Sequence, residues 1–158
     1  MERYQEAKEK AIKYIRAADH TLTQTYPHIK DPKLLLAVLK NTYDSMDETM
    51  SAILQYHKFN KRIPAFHDSF ATKIGVIQTL PVPEKGSISK EHLLFLRNLF
   101  DVVNSHQQSS MEFARKDAFV ISSDNYNLKT ITADSLKNYI KMAKSLITEM
   151  ERIVSEND

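Results

Sequence analysis

With 158 residues the chain has the length of one domain with one core, and its 42% apolar content is enough to fill a helical interior. Two glycines, Gly75 and Gly86, are too few for an all-β protein or a phosphate-cradling loop, which excludes a dinucleotide fingerprint and a P-loop. A formal charge of +2 permits contact with nucleic acid on one face without requiring it, and the absence of cysteine excludes disulfides, thiolate nucleophiles and cysteine-based zinc sites.

The first helix is expected from about Glu2 to Gln24, where Ala7, Ala11, Ile15, Ala18 and Leu22 recur at three- and four-residue steps. Asp19 falls beside that apolar face, so it is expected to tie to another helix or to a loop amide. Tyr26 to Lys30 is read as a break, because Pro27 lacks a donor and clashes with the preceding turn. Asp31 suits the N-cap and Pro32 the first position of a second helix, which runs to about Asn60 on a stripe through Leu35, Leu39, Tyr43, Met46, Met50 and Ile53. Its polar band of Asn41, Asp44, Ser45 and Glu48 reads as a solvated face or one turned to a partner.

Lys61 to Pro64 interrupts the pattern. A third helix is expected from Pro64 or Ala65, carrying Phe66, Phe70, Ile74 and Ile77 and ending before the Pro81–Gly86 loop. Ser89 caps a fourth helix over about 90–106. Ala118–Ser122 and Tyr126–Thr132 are rich in β-branched and aromatic residues around Asp124-Asn125, which predicts a small hairpin. A last helix covers about 133–156, with Asp134 in its first turn. The fold class expected is therefore all-α: one domain over 1–158, an antiparallel bundle of four to five helices with room for a small β-hairpin before the last.

The six histidines, His20, His28, His57, His67, His92 and His106, show no i,i+4 pairing and no ligand spacing, so neither a metal nor a cofactor is expected. Basic residues form stripes instead. Lys13, Arg16 and His20 share a face of the first helix, and Lys137, Lys141 and Lys144 share a face of the last. Lys58, Lys61 and Arg62 cluster at the end of the second. Two such stripes brought together could neutralise several phosphates. Glu112 to Asp117 is a dense mixed-charge phrase in which Arg115 could form an internal ion pair or grip a carboxylate or phosphate in bidentate fashion. The charged N-terminus does not read as a signal peptide, and no run of about 18 apolar residues could span a membrane. A cytoplasmic protein is expected.

Several phrases together resemble a family of uncharacterised helical proteins from archaea: Ala18-Asp19-His20, Tyr26-Pro27, Lys30-Asp31-Pro32, Lys61-Arg62-Ile63-Pro64, Phe66-His67-Asp68-Ser69-Phe70 and Glu112 to Asp117. That resemblance covers most of the chain and implies no established activity. The architecture is also similar, more loosely, to the HEPN superfamily, whose members include metal-independent RNases and RNA-binding modules. Their active pattern places an Arg four to six residues before a His, which Arg62 and His67 match in spacing. Ile63 stands where that pattern has a polar residue, and Pro64 interrupts the segment. The resemblance implies that His67 would act as base toward a ribose 2′-OH while Arg62 stabilised the developing charge, in a site assembled across a dimer.

Three functions remain open on these residues. The first is a non-catalytic binding or assembly module that self-associates or meets a protein partner. The second is RNA or other nucleic-acid binding through Lys13, Arg16, Lys137, Lys141, Lys144 and Arg115. The third is HEPN-like RNA cleavage at Arg62 and His67.

Overall fold

Alanines along one face of α1 (Arg3–His20) let that helix lie close against α3 (Lys33–Phe59). Ala7, Ala11 and Ala18 are buried there, and the buried Ser45 Oγ donates to the Ala11 carbonyl at 2.7 Å. Ser45 therefore belongs to the helix–helix seam and not to a solvated or partner-facing band, because a small hydroxyl fills the space a larger side chain could not. The computed structural model describes residues 2–80, 88–107, 111–115, 118–122 and 128–155. It is an all-α bundle with a small antiparallel sheet before the last helix.

The chain does not break at Pro27. It passes from α1 through a π-helical turn, Thr21–Thr25, into the short α2, Tyr26–Ile29. The Tyr26 N–H reaches back to the Thr21 carbonyl, a five-residue step that widens the helix by one residue. That places Pro27 in the first turn of a new helical segment, where its missing N–H leaves no bond unmade. Lys30 then ends the run in the left-handed region, at φ 55° and ψ 31°.

α3 starts one residue later than expected: Pro32 and not Asp31 is its N-cap and no side chain caps it, while Asp31 Oδ1 accepts from the Lys33 N–H at 3.0 Å in a tight turn just ahead of the helix. Its far end closes in a Schellman motif. The Arg62 N–H bonds the His57 carbonyl at 2.9 Å and the Lys61 N–H bonds the Lys58 carbonyl at 3.0 Å, with Lys61 at φ 58°. α4, Phe70–Thr79, begins later than the apolar spacing suggested. Ser69 Oγ accepts from the Thr72 N–H at 3.2 Å and fixes the start there, so 64–69 form an irregular strap. Phe66 packs against the core from that strap without being helical.

α5, Lys90–Gln107, and α6, Ala133–Ser155, match the fourth and last expected helices. Thr132 and Ser135 cap α6 reciprocally, through Thr132 N–H to Ser135 Oγ at 3.0 Å and Ser135 N–H to Thr132 Oγ1 at 3.1 Å. Between α5 and α6 lie β1 (Met111–Arg115), β2 (Ala118–Ser122) and β3 (Leu128–Thr132), antiparallel in the order β1-β2-β3. The β2–β3 hairpin pairs Ala118 with Thr132 and Ser122 with Leu128. The expected turn at Asp124-Asn125 lies outside the described residues. β1 adds a third strand from the phrase read only for its charges, which makes β2 central and buried from Ala118 to Ile121. Phe119, Ile121 and Ile131 join the one core shared by the helices. No described helix is long and apolar enough to cross a membrane.

Candidate nucleic-acid interface

Lys137, Lys141 and Lys144 stand exposed along one side of α6, where that helix passes the π-helical turn. Two grooves run there and share Leu22, Thr23 and Lys137. One, of about 300 Å³, is edged by Asp19, Lys137, Lys141 and Lys144 over Leu22 and Ile140. The other, of about 480 Å³, continues past Tyr26 and Pro27 to Lys30. Four lysines from two distant parts of the sequence thus line one continuous surface with an apolar floor. Asp19 ties to another helix as expected: its Oδ2 accepts from Lys144 Nζ at 2.7 Å and joins α1 to α6. Lys13 and Arg16 are exposed on α1 and line neither groove. Arg115 ends β1, and its side chain lies outside the described residues. Lys30 was not among the sequence candidates. Only folding places it beside Lys137, and the left-handed residue that ends α2 turns the chain at that point.

Arg62 and His67 lie on the segment between α3 and α4, and both are exposed. Arg62 closes the end of α3. Its Nη1 sits 3.4 Å from His57 Nδ1, and its guanidinium carbon lies 5.9 Å from the centre of the Tyr56 ring. A guanidinium can only donate, so His57 accepts at Nδ1. Glu112, in the mixed-charge phrase, pairs with His106 at 2.7 Å.

The densest buried charge was not anticipated from the sequence. Lys73 is 1% exposed, and its ammonium contacts Asp47 at 2.9 Å and Asp68 of the strap. Burial alone would push its pKa down, but hydrogen bonds and attraction from Asp68 and Asp47 outweigh burial and hold it above the ordinary lysine value, so Lys73 is a cation. A signal was present: Lys73 lies on the apolar stripe of Phe70, Ile74 and Ile77, where an ammonium must find an acid.

His92 is buried at the start of α5. Its backbone N–H donates to Ser89 Oγ at 3.1 Å, and its Nδ1 accepts from the Ser89 N–H at 3.3 Å. The ring proton therefore sits on Nε2, 3.0 Å from Ser145 Oγ on α6, so Nε2 cannot act as a base toward that serine. Burial lowers the His92 pKa from its ordinary 6.5, against the opposing charges of Glu149 and Glu91. The folded state resists protonation, so the stability this histidine contributes is complete above about 6.5 and is lost as pH falls below that value. Urea midpoints measured from pH 7.5 to pH 5 should fall more steeply for the wild type than for His92→Gln; equal slopes would remove His92 from the pH dependence.

Among the described residues no group of three or more histidines and carboxylates is arranged to hold a metal ion. Comparison with protein-family models, curated proteins and solved structures finds no match to this chain.

Proposed function

We propose that the protein is a non-catalytic helical binding module that takes RNA on the lysine face of α6 and the π-helical turn. The observation that carries this reading is the convergence of Lys30, Lys137, Lys141 and Lys144 on adjoining grooves, in a chain whose overall charge of +2 is otherwise nearly balanced. Clustered cations over a shallow surface suit a phosphodiester backbone, because each neutralised phosphate releases counterions. Self-association or a protein partner is a companion property of this reading; the exposed apolar side chains are Ile29, Phe59 and Leu94, on three different helices. A cysteine-free chain suits the reducing cytoplasm, where we place it.

The test is a binding and cleavage assay on labelled total RNA in chelator, at low and moderate salt, each reaction divided between native and denaturing gels. The expected result is a salt-sensitive shift with the RNA intact. Discrete cleavage that disappears in His67→Ala would replace this reading with a HEPN-like RNase using Arg62 and His67. RNA that neither shifts nor breaks would remove the nucleic-acid reading and leave a protein-interaction module.

A further inference from the structure

A polar slot of about 330 Å³ opens between α1 and α3 where the strap crosses them, away from the lysine face. Arg3, Glu6 and Lys10 line it from α1, and Glu48, Ser51, Gln55 and Lys58 from successive turns of α3. Lys73 with its two partners Asp47 and Asp68 forms a finished wall, since the ammonium is already satisfied by both carboxylates. The rest of the slot is not finished. Glu48 and Lys10 feel each other across it but do not close an ion pair. Ser51 and Gln55 make no side-chain hydrogen bond to a described residue. Burial pushes the Glu48 carboxyl above its ordinary value, against the opposing attraction of Lys10 across the slot.

These charges discriminate among ligands. Outside that neutralised wall, a polyanion would meet Glu6 and Glu48, and a polycation would meet Arg3, Lys10 and Lys58. A small molecule carrying both signs a bond or two apart would satisfy Glu48 and Lys10 together. We propose that this slot binds a small zwitterion of the α-amino-acid class, with its ammonium group at Glu48 and its carboxylate at Lys10. The amino acid's side chain extends along Ser51 and Gln55 toward Lys58, which favours a polar or acidic one. This site is separate from the RNA reading and does not depend on it.

Calorimetric titration of the full-length protein with L-glutamate and L-glutamine, against butylamine and glutarate as single-sign controls, tests the assignment. Binding of an amino acid and not of either control is the expected result. Glu48→Gln and Lys10→Met should each weaken it about tenfold, the scale of one charge-assisted hydrogen bond. Lys10 is exposed, so its variant tests the site even if Glu48→Gln is poorly folded. Heat absent with both amino acids, equal binding of glutarate or butylamine, or affinity unchanged in Lys10→Met would each overturn the proposal. Loss of RNA binding in Lys137→Glu with amino-acid binding retained would show that the two sites stand independently.

Discussion

Replacing Asp47 and Asp68 together by alanine is expected to destabilise the protein far more than replacing Lys73 by methionine. The two changes remove opposite halves of one contact, and burial makes them unequal. Lys73 is 1% exposed, so removing both carboxylates strands a cation away from water. Breaking a buried pair from one side costs about 3–5 kcal/mol. For a chain of this length that corresponds to a fall in Tm of roughly 10 °C. Methionine keeps most of the buried stem and deletes the charge, while Asp68 at 84% exposed and Asp47 at 34% can be hydrated where they stand. A nearly volume-conserving exchange of this kind costs about 1 kcal/mol. Thermal melts of the two variants decide the matter. Equal losses would mean that Lys73 acts through packing alone, and a larger loss in Lys73→Met would mean that the carboxylates need the cation more than it needs them. The strap should report the same event: limited proteolysis between Arg62 and Asp68 should quicken in the double alanine variant, since Asp68 is the strap's charged tie to α4.

The contrast between Lys73 and its helix explains what a linear reading of this chain reaches. α3, α5 and α6 were legible because periodic apolar positions coincide with a start signal, Asp31-Pro32 just ahead of α3, Ser89 at the cap of α5 and Asp134 in the first turn of α6, so two independent local signals agree. Where one local signal acted alone it misled. Pro27 predicted a break, but a π-helical turn absorbed the missing donor. Phe66 lay four residues before Phe70 and extended the apparent helix, but Ser69 set its start. The end of α3 was visible as an interruption, yet its Schellman closure was disguised by a lysine where glycine usually sits. β1 escaped because Glu112 and Arg115 drew attention to charge and away from the strand-forming alternation around Phe113. The lysines of α6 were recognised as a stripe, and only their neighbours were not. Lys30 comes to share a groove with Lys137, Asp19 reaches Lys144 and Asp47 reaches Lys73 across stretches of chain that no local period encodes.

Charge reversal at Lys137, Lys141 and Lys144 should nearly abolish RNA binding if the lysine face of α6 takes RNA, and the dependence on salt carries more information than the loss itself. Each phosphate neutralised on a single strand contributes about 0.7 to the slope of log affinity against log salt. Three contacts removed should flatten that slope by about 2 units, and the remaining binding should vary little with sequence. The ion pair between Lys144 and Asp19 sharpens the test. Asp19 is a carboxylate on the edge of the groove, 2.7 Å from Lys144, and a phosphate arriving there must displace it or bear its repulsion. Asp19→Asn should therefore tighten binding and steepen the salt dependence, whereas no such gain is expected if Asp19 only fastens α1 to α6. The pair is about half exposed and screened by solvent, so its loss should move the thermal midpoint little. Tighter binding in Asp19→Asn, weaker binding in the lysine reversal and unchanged melting in both would locate the interface at this groove. Weaker binding in both variants would instead mean that the groove's shape, held by the Asp19–Lys144 tie, matters more than its charge. Fluorescence anisotropy of a short labelled RNA across a salt series separates these outcomes, because lost charge changes the slope whereas lost shape lowers affinity at every salt concentration.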